Sequence, residues 1–320
     1  MNTYESLRKE PYFGLSPIIE AVKLHINVAA AAPCAVLLCG ETGTGKGVIA
    51  HWIHDHSSRK DRAFMDINCS GLKGELLKSE LFGHIRGSFT GAVDNRPGLI
   101  EEADGGTLFL DEIGDMDIDV QCLLLKAIEE KTYRRVGENK LRSSDFRLIC
   151  ATNRDLREAM KNGAFRPDLY YRINTITVSL PPLKERGEDI AGLLRYTLAK
   201  MDYRLPLPED VVSALTRYPW PGNIRELRNA VERALVFAQG KPLIMEHFSG
   251  FENTPGNPPP EEPVWNLEAI EKAHIMRALK HFHGNKQKAC AALGISPTSM
   301  YRKLEKIWNE SGGNDLIAEK

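Results

Sequence analysis

The chain has 320 residues, of which 42% are hydrophobic and 27% charged, with a formal net charge of −1. That length favours more than one core, because single cores rarely grow past roughly 250–300 residues. No apolar run approaches the ~20 residues of a membrane span and Met1–Glu10 is too polar for a secretory signal, so a cytoplasmic location without a membrane partner is expected.

In chain order, the apolar runs Ala35–Cys39, Phe64–Asn68, Thr107–Leu110 and Leu148–Thr152 predict buried strands. Gly45–His56, Val120–Lys131 and Asp155–Asn162 predict helices between or after them. The alternation predicts an α/β fold, a parallel sheet flanked by helices. From about Glu185 the strand signals stop, and Glu188–Ala199, Glu209–Arg217 and Ile224–Gln239 predict a small helical lid. Glu252–Pro263 holds five prolines, one glycine and no large apolar side chain, the composition of an extended linker. Leu267–His281, Lys286–Leu293 and Pro297–Trp308 predict a final all-α unit. The expected segments are a short tail (1–11), an α/β nucleotide-binding segment (12–184), the lid (185–251), a Pro-rich linker (252–265), a helix-turn-helix (266–310) and a closing tail (311–320).

The sequence GETGTGKG, comprising Gly40, Glu41, Thr42, Gly43, Thr44, Gly45, Lys46 and Gly47, follows a predicted strand and opens a predicted helix. This is the setting of a P-loop: glycines admit backbone N–H groups close to phosphate oxygens, the helix N-terminus adds its dipole, and Lys46 reaches the terminal phosphates. Gly47 replaces the hydroxyl residue that usually follows the lysine and helps to hold magnesium. In GGTLFLDE, an apolar strand ends in Asp111 and Glu112. Asp111 is the candidate Mg2+ ligand and Glu112 the candidate general base for an attacking water.

Residues from about Tyr12 to Phe251 resemble the AAA+ ATPase domain of bacterial enhancer-binding proteins, the activators of sigma-54 RNA polymerase. The deciding feature is GSFTGA, comprising Gly87, Ser88, Phe89, Thr90, Gly91 and Ala92, inside ELFGHIRGSFTGA. In that family the loop touches sigma-54, and Ser88 stands where Ala is usual. The glycines permit a tight tip expected to present Phe89 and Thr90 outward. The resemblance implies further roles at matching positions. Asn68 in DINCSGL links nucleotide state to the catalytic glutamate, and Asn153 in CATNRDL senses the γ-phosphate. Arg166 and Arg172 in FRPDLYYRIN are supplied across a subunit boundary, and Arg225 in NIRELRN is the sensor on the lid. It also implies a P-loop AAA+ fold with ATP and Mg2+ as ligands, and self-assembly into a ring, a hexamer in the family. Position 47 is usually Glu in this family, so Gly47 departs from both patterns.

Residues 266–320 carry nine Lys/Arg against six Asp/Glu, and GNKQKACAALGISPTSMYRKLEKI has the rhythm of a helix-turn-helix. Gly294 supplies the turn, Ser296 an N-cap and Pro297 the first helical position. The segment resembles the Fis-type domain of these activators. Thr298, Ser299, Arg302 and Lys303 are expected to meet double-stranded enhancer DNA in the major groove, and Lys286 and Lys288 its phosphates. Leu267–His281 is expected to pair two such domains.

Two other features carry less. HWIHDH (His51–His56) reads as a partly exposed helix face and not a metal site, and the six cysteines, none in a C-x-x-C pair, read as reduced core thiols. The expected function is ATP-driven remodelling of the sigma-54 RNA polymerase holoenzyme. The alternatives are a DNA-binding regulator that keeps the scaffold without remodelling, or a different AAA+ machine. With the AAA+ pattern starting near Tyr12, the layout resembles the phage-shock and plant-pathogen secretion activators, and control by a separate inhibitor or co-activator protein is expected if Met1 is the natural start.

Overall fold

The first strand, β1 (Val36–Cys39), is buried along most of its length, as a central parallel strand requires. With β2 (Phe64–Asn68), β3 (Thr107–Asp111), β4 (Arg147–Thr152) and β5 (Ile176–Ser179) it forms a sheet of order β2-β3-β4-β1-β5, every pair parallel. The computed structural model describes residues 11–248, 271, 274–276, 278–279, 282 and 285–310. The chain divides into two units, Met1–Pro255 and Gly256–Lys320. The predicted linker, the closing tail, all but Pro11 of the first tail and most of Leu267–His281 lie outside the described residues.

Successive strand residues point to opposite faces, so the strand sequences build two cores. Leu108, Leu110, Leu148 and Cys150 join Leu77 and Leu81 of α3 (Gly74–Phe82) and Val120, Leu124 and Ala127 of α4 (Ile118–Glu130) on one face. Phe109, Ile149 and Ala151 join α1 (Pro17–Ala31) and α2 (Lys46–Asp55) on the other, through Val22, Ile26, Ile49 and Ile53. The fifth strand was not anticipated. It lies at the sheet edge with only Val178 fully buried, so its pattern is too short and polar to stand out. Neither was α1, whose last carbonyls, at Ala29 and Ala30, accept hydrogen bonds from the buried Arg147 guanidinium on β4.

Between β4 and β5 lie α5 (Leu156–Lys161) and α6 (Pro167–Ile173). The lid comprises α7 (Ile190–Lys200), α8 (Glu209–Arg217) and α9 (Asn223–Ala238) around Leu194, Leu215, Leu227 and Val231. Trp220 closes this core, and its buried indole N–H donates to Leu215 O at 2.9 Å. In the C-terminal unit, α10 (Lys286–Leu293) and α11 (Pro297–Glu310) pack Ala289, Cys290, Met300 and Leu304 against Ile275. Gly294 ends α10 in the left-handed region at φ 67°, and the Ser296 hydroxyl accepts from Ser299 N at 3.2 Å.

Two expectations about single residues are corrected. His54 is not on an exposed face: it is buried, with Nδ1 2.9 Å from Thr107 Oγ1 on β3. Cys122 is exposed on α4 and is not a core thiol, although Cys69, Cys150 and Cys290 are buried. No helix among the described residues is long and apolar enough to cross a membrane.

Candidate nucleotide site and DNA-binding surface

Parallel strands end on one edge, and the register decides which residues meet there. Cys39 is level with Thr152, and Asn68 with Asp111. The glycine loop after β1, the acids ending β3 and Asn153 after β4 are thus gathered at the carboxyl edge, where α2 begins at Lys46 with its free N–H groups. Gly43 has φ +83°, and a Cβ there would stand 2.3 Å from Gly222 O of the lid, so only glycine fits.

Lys46 is buried, and its ammonium donates to Gly40 O at 2.9 Å and lies 3.3 Å from Glu112 Oε1. The other carboxylate oxygen of Glu112 accepts from Asn153 N at 2.9 Å, while Asn153 Nδ2 donates to Thr42 Oγ1 at 2.9 Å. Glu112 holds φ +52°, a left-handed conformation costly for a side chain of this size. Burial, and then the Glu112 charge, push the Asp111 carboxyl above its ordinary value, with Lys46 opposing. An anchored ammonium, helix N–H groups and two adjacent carboxylates suit a nucleoside triphosphate with a divalent cation. Beside Thr44 and Gly45 opens a mostly apolar cavity of about 480 Å³, lined by Tyr12, Ile26, Val48, Tyr196 and Ile224 among others. It is shaped for the apolar part of a ligand whose phosphates lie in the loop. Its walls come from separate segments, so no sequence motif announces it.

Asn68 is at this edge but engaged elsewhere: its Oδ1 accepts from Ser70 N at 2.9 Å and Ser70 Oγ at 2.6 Å. Arg225 lies over the loop, its backbone N donating to Gly43 O at 3.3 Å. Arg172 is exposed on α6, and Arg166 is the half-buried residue just before its first turn. Arg166 is held by Asp168 Oδ2 at 2.6 Å and by Cys122 Sγ at 2.9 Å, and hydrogen-bonds to neither Asp111 nor Glu112. Sequence reasoning missed Asn223, which is buried between lid and loop.

The segment 87–92 is a compact turn: Gly87 N donates to Ala92 O at 2.9 Å and Ala92 N to Phe89 O at 3.0 Å. Phe89 is not presented fully outward as expected. It is half-buried, its ring edge-on to His84 at 5.1 Å between centroids, a favourable aromatic contact that removes part of the ring from water. Thr90 is exposed, and Val93, 70% exposed, is the apolar side chain presented there. The hydroxyl of Ser88 is buried without a partner.

On the C-terminal unit, Lys288, Thr298 and Arg302 are exposed, and Lys286 and Ser299 are half-buried. Lys286 lies over the Tyr301 ring at 5.0 Å, and Lys303 is paired with Glu271 Oε1 at 2.5 Å. Lys303 thus has an internal partner that its sequence position did not suggest.

A parallel sheet with this order and edge, capped by a helical lid, is the AAA+ architecture of P-loop nucleotide-binding proteins. Family descriptions match along nearly the whole chain: "Sigma-54 interaction domain" over residues 12–179, "AAA+ ATPase lid domain" over 184–258, and "Bacterial regulatory protein, Fis family" over 266–306. The chain belongs to the sigma-54-dependent transcriptional regulators, with a DNA-binding helix-turn-helix of the Fis type. It is 39% identical over 315 residues to the regulatory protein LuxO of Vibrio vulnificus, covering 93% of this chain and 69% of that one. To the alginate biosynthesis transcriptional regulatory protein AlgB of Pseudomonas aeruginosa it is 44% identical over 298 residues, 91% of this chain and 66% of that one. Among solved structures, NtrX from Brucella abortus in complex with ATP superposes with a TM-score of 0.68 at 27% identity, over 94% of this chain and 70% of that one.

Proposed function

We propose that this chain is an ATP-hydrolysing activator that binds enhancer DNA and remodels sigma-54 RNA polymerase closed complexes into open ones. The observation that carries the reading is the joining in one family member of a complete phosphate edge (Lys46, Asp111, Glu112, Asn153) to the loop Gly87–Ala92. In this reading 12–184 and 185–251 bind nucleotide and 266–310 binds DNA, in the cytoplasm.

Backbone N–H groups of Gly43–Gly47 and the Lys46 ammonium bind the phosphates of ATP. Mg2+, held by Asp111, supplies neutralising charge when bound. Glu112, steadied by Asn153 N, orients the attacking water and accepts its proton at the oxygen that faces Lys46. Asn68 couples nucleotide state to Glu112, and Asn153 senses the phosphate. Arg225 acts from the lid. Arg166 and Arg172 reach the phosphates of a neighbouring copy, so the working form is a ring, a hexamer as in the family. An arginine so placed accelerates phosphoryl transfer by about 10³-fold or more. The loop Gly87–Ala92 carries the motion to sigma-54, with Thr90 at its exposed tip. Thr298, Ser299 and Arg302 read enhancer DNA while Lys286 and Lys288 grip its backbone.

The test is open-complex formation by purified protein with sigma-54 holoenzyme on a promoter that melts only on activation, comparing ATP with a non-hydrolysable analogue. Melting with ATP alone is expected. Measurable hydrolysis without melting would replace this reading with that of a passive DNA-binding regulator.

A further inference from the structure

The lid reaches the phosphate loop through one fully buried side chain. Asn223, the first residue of α9, has no solvent exposure and holds φ +55°, a conformation that asparagine tolerates better than most residues. Its amide group donates to Glu41 Oε2 at 3.1 Å and to Thr42 O at 3.1 Å, both in the phosphate loop. Its carbonyl oxygen accepts from Leu183 N at 2.7 Å, where the chain passes from the sheet segment into the lid. Three elements that must keep a fixed relation thus meet on one amide. The surrounding contacts leave no slack. Gly222 O would stand 2.3 Å from any Cβ at position 43, and Arg225 N, two residues on, donates to Gly43 O at 3.3 Å. Lys184, next to Leu183, lies 3.7 Å from the other oxygen of Glu41.

We infer that Asn223 is a positioning residue that locks the lid to the phosphate loop, setting Arg225 and the cavity wall at Ile224 for bound nucleotide. The inference rests on the nucleotide-binding reading and names the group on which the lid's contribution depends. An amide is required because the neighbours are mixed: the loop offers two acceptors and the connector one donor, and only a side chain with both N–H and C=O satisfies all three. Aspartate would keep the Leu183 contact but turn a carboxylate towards Glu41 and the Thr42 carbonyl. Glycine would keep the backbone conformation and remove every side-chain bond.

The experiment uses the full chain and a fluorescent ATP analogue, together with kcat and KM for ATP hydrolysis. Asn223→Asp is expected to weaken nucleotide binding and raise KM on the order of tenfold, the loss of hydrogen bonds to a charged group and a carbonyl, while kcat falls less. Adding Glu41→Gln to Asn223→Asp supplies an amide donor facing the new carboxylate and should recover most of that loss, which a purely structural role would not predict. Asn223→Gly should resemble Asn223→Asp in KM without rescue by Glu41→Gln. Because a buried variant can fail to fold, Glu41→Ala at a half-exposed position provides a second route. It removes one of the three bonds and is expected to weaken binding about threefold. Wild-type affinity and KM in a folded Asn223→Asp protein, or in Glu41→Ala, would overturn the inference. Failure of the unaltered chain to bind the analogue would instead overturn the nucleotide-binding reading itself.

Discussion

Gly47 is where the phosphate loop departs from expectation, and its surroundings give the departure a measurable consequence. It is the second residue of α2, and a Cβ built there meets nothing within 4 Å. A side chain therefore adds no clash, and the substitution acts mainly by restricting the unfolded chain. Glycine in a helix is less favourable than alanine by roughly 0.5–1 kcal/mol. For a unit of this size each kcal/mol shifts the melting temperature by roughly 2–4 °C, so Gly47→Ala should raise it by about 1–4 °C. Gly47→Ser should gain less, serine being a weaker helix former, but it places a hydroxyl directly after Lys46. The assay is thermal unfolding of nucleotide-free protein, followed by ATPase rates across a Mg2+ titration. Gly47→Ser should reach half-maximal rate at lower Mg2+ than Gly47→Ala. A melting temperature lowered by more than about one degree in either variant would refute the open helical geometry. Identical Mg2+ requirements in the two would refute the idea that the missing hydroxyl matters for the metal.

Thr90→Ala, at the exposed tip of the 87–92 turn, should retain ATPase activity but lose promoter melting; loss of hydrolysis as well would tie the loop to the phosphates. Glu112→Gln should bind the fluorescent ATP analogue and lose at least about 10²-fold in turnover, the usual contribution of a general base, as a single-turnover assay would show. Burial holds the His54 imidazole below the ordinary histidine value. The unfolded chain then takes up a proton near pH 6.5 while the folded one stays neutral, so stability is full above that pH and lost as pH falls through the folded value. Melting temperature should drop between about pH 7.5 and 5.5, and drop less in His54→Gln, where the amide keeps a partner for Thr107. Arg302→Ala should cost about 1–3 kcal/mol at an enhancer site and little on random DNA. Lys303→Ala should weaken both only slightly, since its ammonium is already paired with Glu271, and titrations at two salt concentrations would separate the cases.

The residues gathered on the carboxyl edge of the sheet were legible because each belongs to a local pattern. Lys46 follows glycines after an apolar run, and Asp111 and Glu112 end another; once the strands are parallel, their ends must share an edge. The helix-turn-helix was legible for the same reason, with Gly294, Ser296 and Pro297 marking the turn within a few residues. Helix α1 was less so. It was missed although Ser16 and Pro17 repeat the helix-start pair Ser296–Pro297 and its apolar residues recur at helical spacing.

By itself the sequence determined the class of fold, the glycine loop after the first strand, the acidic pair at the end of another and the helix-turn-helix, because short-range spacing and side-chain chemistry suffice for each. Only the tertiary structure decided that Phe89 leans on His84, that Lys303 is spent on Glu271, that Cys122 holds Arg166 and that Asn223 joins lid to loop. Those contacts link residues from 5 to 182 positions apart. Apart from the nearest pair, their partners are set by how separate elements pack and by no pattern along the chain. Which group of a site is free, paired or buried is therefore decided when the chain folds.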